Sequence, residues 1–290
     1  MADIRTIVFP VDFSARSAGA AHYVEALARE SKPKIHMIHV LPPAHYEAMS
    51  LEVTGPALAE VLASREAAAK AQIEKFLSPE MDAFDVERAV LDGDPGRKII
   101  DYAEKVNADL IAMPTHGYGP FRRFILGSVT AKVLHDAKCP VLTGVHMEQA
   151  PPLERIHFRT IVVAVDLCGS SRYVLQWAGE FARRYQSRLV VTHVVPSIEG
   201  RAGEYFDPDW RETFGRPARE QIEQLLQELE LKAEVVISWG EASKQVCEVT
   251  AAQQADLLII GRGHTESALG RLRTHSYAII RMSPCPVISV

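Results

Sequence analysis

The chain has 290 residues, 47% hydrophobic and 24% charged, with a formal net charge of -5. That length favours about two domains, each large enough to bury a core of its own, and the slight acid excess gives no electrostatic pull toward nucleic acid. No leader-like segment precedes the first apolar run, and no apolar stretch reaches the roughly 20 residues needed to cross a bilayer, so neither nucleic acid nor membrane is an expected partner and a cytoplasmic location is the default.

From the N-terminus, short runs rich in Ile and Val alternate with stretches of helical period. Strands are predicted at 5–11, 34–40, 86–91, 109–113 and 140–145, and helices at 15–30, 56–77, 94–106 and 127–137, the first capped by Ser14. Pro42-Pro43 opens a long connection after the second strand. The segment Glu148 to Ile156, with Pro151-Pro152, reads as a linker. Beyond it, strands are predicted at 159–165, 188–194, 233–238, 256–260 and 286–290, and helices at 170–186, 216–229, 242–253 and 273–282, with a long connection over 196–215. Runs apolar throughout, such as Ile161-Val162-Val163-Ala164-Val165, suit strands covered by helices on both faces. The expectation is an α/β chain of two doubly wound, five-stranded parallel-sheet domains of Rossmann-like type, residues 1–147 and 157–290.

The two halves repeat one another. Arg5-Thr6-Ile7-Val8 leading to Val11-Asp12 returns 154 residues later as Arg159-Thr160-Ile161-Val162 leading to Val165-Asp166, and His39-Val40 returns as His193-Val194. Ala108-Asp109-Leu110 returns after 147 residues and Cys139-Pro140-Val141 after 146, so order is kept while loops shorten, as in a duplicated domain. The fifth strands, Pro140 to Val145 and Pro286 to Val290, are apolar sheet edges that are costly to leave bare. They are expected to pack on each other as an intramolecular pseudo-dimer, with a homodimer of the whole chain an open further step.

In a doubly wound sheet, ligands bind beyond the carboxyl ends of the strands where strand order reverses. The unusual residues of the first half fall at two such ends, Pro10-Val11-Asp12-Phe13-Ser14 and Met113-Pro114-Thr115-His116-Gly117. The second of these continues to Gly127-Ser128-Val129-Thr130, with nine residues between Gly117 and Gly127. Glycines let backbone approach a phosphate closely, and the N–H groups of Gly127 to Thr130 open a helix whose N-terminus favours anions.

Taken with the Pro-x-Asp-Phe-Ser strand end and the Cys-Pro-Val final strand, this spacing resembles the universal stress protein family, whose nucleotide-binding members carry Gly-x2-Gly-x9-Gly-Ser/Thr. The resemblance spans both halves and implies an adenine nucleotide alpha hydrolase-like fold. It also implies a cytosolic stress-response protein that binds ATP or another adenine nucleotide, with or without Mg2+, and regulates an unknown protein partner. By that resemblance Pro10, Val11, Asp12 and Phe13 would be among the nucleotide-binding residues, with Asp12 holding the adenine or a nearby polar edge of the nucleotide, and Val40 would present backbone groups to the base. Met113, Pro114 and Gly117 would line the ribose and phosphate passage, and Gly127, Ser128, Val129 and Thr130 would meet the phosphates. The alternative for Asp12 is a helix N-terminal carboxylate satisfied by backbone N–H groups.

Pro114 stands where the family has its first glycine. Proline would spoil a position that needs positive φ or a donated N–H and would cost little in extended backbone. In the second half Arg273 and Thr274 stand opposite Gly127 and Ser128, so that half is expected to lack a standard nucleotide site. Arg122 and Arg123 read as solvated, His116 as a loop or phosphate contact, His39 and His193 as shared structural hydrogen bonds, and Cys139 and Cys285 as buried packing. No Walker loop, dinucleotide turn, nucleophile elbow, His-Glu-x2-His or Cys-x2-Cys pair is present. Two other functions remain open from the residues: slow ATP hydrolysis with His116 or Asp12 positioning water, and an interaction protein that binds no nucleotide.

Overall fold

Both predicted domains fold from the same rule, an apolar run followed by a helix that returns the chain to a parallel neighbour. The computed structural model describes residues 4–43, 56–115, 126–145, 147, 150–196, 210–262 and 271–290. It divides into two units, the first Ile4–Ile156 and the second ending at Val290 and containing everything from His157.

In the first unit the order is β1 (Thr6–Pro10), α1 (Ala15–Ser31), β2 (Lys34–Leu41), α2 (Pro56–Lys75), α3 (Ser78–Met81), β3 (Val86–Asp92), α4 (Pro95–Lys105), β4 (Leu110–Ala112), α5 (Ser128–Asp136) and β5 (Val141–Thr143). In the second it is β6 (Thr160–Ala164), α6 (Ser171–Tyr185), β7 (Arg188–Val195), α7 (Trp210–Glu228), β8 (Glu234–Trp239), α8 (Ala242–Ala252), β9 (Leu257–Ile260), α9 (Arg271–Met282) and β10 (Val287–Ser289). Strand order is β3-β2-β1-β4-β5 in the first unit and β8-β7-β6-β9-β10 in the second. Among the described residues, neighbouring strands within each unit pair in parallel. The order reverses between β1 and β4, and again between β6 and β9.

Central strands bury both faces, and Ile7, Val8 and Phe9 of β1 are fully inaccessible, as are Ile161, Val162 and Val163 of β6. Burying each such side chain stabilises the fold by about 1.5 to 3 kcal/mol. The repeated aspartates have the same task at the other end of the sheet. Asp109 Oδ2 accepts from the Arg5 and Thr6 N–H groups at 2.9 Å each, and Asp256 Oδ2 accepts from those of Arg159 and Thr160 at 2.8 and 2.9 Å. Beyond β3 and β8 the chain turns through Gly93 at φ 136° and Gly240 at φ 135°, backbone that only glycine adopts without strain.

Two expectations need correction. α7 begins at Trp210, well before the predicted 216, and carries Pro217 inside it. Cys285 is buried but Cys139 is only half-buried, in the bend that leads into β5. Burial pushes the Cys285 thiol up to about 12 and that of Cys247 up to about 11, which leaves both protonated. No described helix is long and apolar enough to cross a membrane.

Candidate functional site

Strand β1 ends at Pro10, and Val11 N–H still bonds to the Ile38 carbonyl at 2.8 Å before the chain turns. The turn passes through Phe13 in the left-handed region, φ 62°, a conformation that costs a non-glycine residue about 1 to 2 kcal/mol. Asp12 holds it. Its Oδ1 accepts from Ser14 N–H at 3.1 Å, from Ser14 Oγ at 2.5 Å and from Ser17 Oγ at 2.6 Å. Ser14 caps α1 as predicted, its hydroxyl accepting from Ser17 N–H at 3.3 Å.

The other carboxylate oxygen, Asp12 Oδ2, is buried and has no hydrogen-bond partner among the described residues. An unmatched acceptor of this kind costs about 1 to 3 kcal/mol until a donor reaches it. Beside it, His39 Nδ1 lies 2.8 Å from the Val11 carbonyl. A carbonyl can only accept, so Nδ1 carries the proton and Nε2 of the neutral ring remains an acceptor. Phe13 turns its ring to His39, with centroids 4.3 Å apart, and to Phe76 at 5.4 Å.

Across the strand-order reversal, Pro114 follows β4. Its carbonyl accepts the Thr130 hydroxyl at 3.0 Å, and the Thr115 carbonyl accepts Gly127 N–H at 2.9 Å. Proline keeps its carbonyl, so the contact recorded at this position does not need the missing N–H. Gly127 is extended, φ -61° and ψ 145°, and caps α5 without a side-chain bond. Its conformation is open to any residue, so what glycine contributes there is the absence of a side chain. The α5 ladder starts with Ala131 N–H on the Gly127 carbonyl, leaving the N–H groups of Ser128, Val129 and Thr130 without intrahelical acceptors. Gly127 N–H and the Thr130 hydroxyl each make a hydrogen bond within the protein.

These pieces enclose a cavity of about 380 Å³, bordered by Pro10, Val11, Asp12, Val40, Met113, Pro114 and the stretch Gly127 to Thr130. Phe13 is not among the described residues that line it, and Gly117, His116, Arg122 and Arg123 lie outside the described residues. Ser17, Ile38, His39, Pro42, Pro95 and Ile99 complete the wall and were not picked as site residues from the sequence. A signal for three of them existed, because Ser17, His39 and Pro42 return 154 residues later as Ser171, His193 and Pro196. Next to Pro95 in the chain, Asp94 caps α4 and accepts from Lys132 Nζ of α5 at 2.8 Å. The Lys132 ammonium, and then the Arg97 N–H, hold the Asp94 carboxyl below its usual range.

The second unit repeats the frame. Leu167 takes φ 60°, Asp166 Oδ1 accepts from Cys168 N–H at 3.0 Å and Ser171 Oγ at 3.1 Å, and His193 Nδ1 lies 2.8 Å from the Val165 carbonyl. A smaller cavity of about 280 Å³ lies beside them, lined in part by Asp166, Thr192, His193, Gly261, His275 and Ser276. Both histidines of the matched strand ends therefore make the shared hydrogen bond that their repetition predicted.

A model of the universal stress protein family matches residues 3–143 and again 157–290. The chain belongs to that family. A universal stress protein of Methanocaldococcus jannaschii is 31% identical over 138 residues, 48% of this chain and 80% of its own length. One from Thermus aquaticus is 32% identical over 142 residues, 48% of this chain and 96% of its own. The fold of the whole chain matches a solved universal stress protein from Archaeoglobus fulgidus with a TM-score of 0.68 and 21% identity, covering 98% of this chain and 95% of that one. The relatives that match half of this chain and most of themselves fit a tandem universal stress protein made of two copies of the family's unit.

Proposed function

We propose that the first half of this universal stress protein binds ATP or another adenine nucleotide, and that the chain acts as a cytoplasmic, nucleotide-dependent regulator in the stress response. The observation that carries the reading is the buried, partnerless Asp12 Oδ2 on a cavity whose far side is the open N-terminus of α5. An adenine exocyclic amine is a donor that Asp12 Oδ2 lacks, and phosphate oxygens are acceptors that the N–H groups of Ser128 to Thr130 lack. His39 Nε2 offers a second acceptor beside the carboxylate. The apolar wall of Val11, Ile38, Val40 and Met113 suits the faces of a base, and the cavity falls within the usual 300 to 1,000 Å³ range for small-molecule sites.

Nucleotide released from the purified chain by denaturation, followed by ATP titration calorimetry on the stripped protein, tests the reading. One adenine nucleotide per chain with saturable heat is expected. Neither nucleotide nor heat at millimolar ATP, together with an unmoved Tm, would refute it, because a ligand that binds the native state must raise Tm by mass action.

A further inference from the structure

The second cavity keeps one end of the first and replaces the other. Asp166, His193, Val165 and Val194 stand on it in the same register as Asp12, His39, Val11 and Val40. Gly127 and Ser128 line the first cavity, and in the sequence Arg273 and Thr274 of the second half stand opposite them. His275 takes the place of Val129 there, its Nδ1 3.7 Å from Glu241 Oε1, the carboxylate that caps α8. The floor also changes. Ile38 of the first cavity becomes Thr192, which is fully buried and whose hydroxyl has no hydrogen-bond partner among the described residues. Threonine and isoleucine are both β-branched, so a hydroxyl in this position adds a polar group that the packing of the strand does not require. At about 280 Å³ the space is small for a nucleotide.

We propose that the second half binds an unphosphorylated aminopurine, as the free base or its nucleoside, with the Thr192 hydroxyl and the Asp166 carboxylate as its polar contacts. The carboxylate and His193 Nε2 accept hydrogen bonds, and the Thr192 hydroxyl can both donate and accept, which matches a planar ring bearing an amine and ring nitrogens. The choice of a purine rests on the base-end reading of Asp12 in the first half. The existence of the site rests on the cavity and the orphan hydroxyl. The chain would then hold two ligands of one chemical family that differ in phosphate, and would sense their ratio.

Adenosine titration calorimetry on the full chain saturated with ATP tests this. One further adenosine per chain is expected, with affinity about five- to tenfold weaker in Thr192→Val and restored in Thr192→Ser, and with ATP affinity unchanged in both. In Gly127→Arg, adenosine should still bind while ATP does not. Adenosine heat that disappears under saturating ATP, or that is unchanged in Thr192→Val, would overturn the proposal, as would no adenosine heat at all. A wild-type chain that ignores ATP yet binds adenosine through Thr192 would refute nucleotide binding by the first half and leave the second site standing.

Discussion

The two halves place an aspartate and a histidine beside a cavity at the same strand-order reversal, yet they furnish it differently. In the first, Asp12 Oδ2 is enclosed and unmatched, and Gly127 leaves the start of α5 bare. In the second, Asp166 is exposed, and the helix start carries Arg273 where the first has glycine. The frame, including left-handed Phe13 and Leu167, is thus a property of the fold and not a mark of the ligand. The changes laid over that frame are what tell the ligands of the two halves apart. A residue conserved between the halves, such as His39 with His193, argues for geometry; a residue changed between them argues for specificity.

The largest expected effect comes from moving one such change. Gly127→Arg places the second half's residue at the first cavity, where its side chain fills the approach to the N–H groups of Ser128 to Thr130. ATP affinity should fall by about 100-fold or more, equivalent to roughly 3 kcal/mol, in calorimetry on a folded chain. Retained affinity would show that phosphates do not lie at α5, and the contrast between the halves would lose its functional meaning.

Next comes the base end. Asp12→Asn keeps an oxygen for Ser14 and Ser17 but offers an N–H₂ group toward a donor on the ligand, and should cost ATP binding about 1 to 3 kcal/mol, or five- to 150-fold. Asp166→Asn should leave ATP affinity unaltered. Equal losses in both would mean that ATP occupies both cavities.

A third test concerns the proline. A Cβ on Gly261 would stand 3.1 Å from Val174 Cγ2. In the first half the matching pair is Pro114 with Ala20, which is fully buried and has no γ carbons. Small and large have exchanged places. Ala20→Val should therefore overpack the first half by about 1 to 3 kcal/mol, seen as a Tm loss of several degrees, and Pro114→Gly in the same chain should recover most of it. Additive losses in the double variant would mean that the two positions do not touch.

Much of this was legible in the sequence because repeated local patterns specify the frame. Alternating apolar runs marked the strands, Ser14 marked the start of α1, and the reversal rule pointed to the ends of β1 and β4. Pro95 and Ile99 were not legible, since they reach the cavity from α4 only once the crossover has folded, and nothing in their local pattern differs from an ordinary helix start. The commitments of Gly127 N–H and the Thr130 hydroxyl were also hidden, because their acceptors, the carbonyls of Thr115 and Pro114, are backbone atoms that no residue type announces. Thr192 read as one more β-branched strand residue; only comparison with Ile38 and its missing partner set it apart.

The smallest effect sharpens the comparison away from the cavities. Glu25 on α1 is 4% exposed, and its Oε1 has no hydrogen-bond partner among the described residues, whereas its counterpart on α6 is Gly179, where a Cβ would fall 2.2 Å from Leu231 Cδ2. The second half closes this helix face with leucine over glycine; the first sets a carboxyl into it. Burial raises the Glu25 pKa, opposed by His22 and Arg29 and reinforced by Glu80 and Glu154. A raised carboxyl binds its proton more tightly folded than unfolded, so its contribution to stability is greatest below the unfolded pKa, near 4.5, and is lost as pH climbs through the higher folded value. Glu25→Gln keeps the shape and removes the titration. It should raise Tm at pH 7 by a small amount, leave Tm at pH 4 nearly unchanged, and flatten the decline between them. A Tm difference from wild type that is constant over that pH range would place the ionisable group elsewhere, and Glu25 would then be a solvated carboxylate despite its burial.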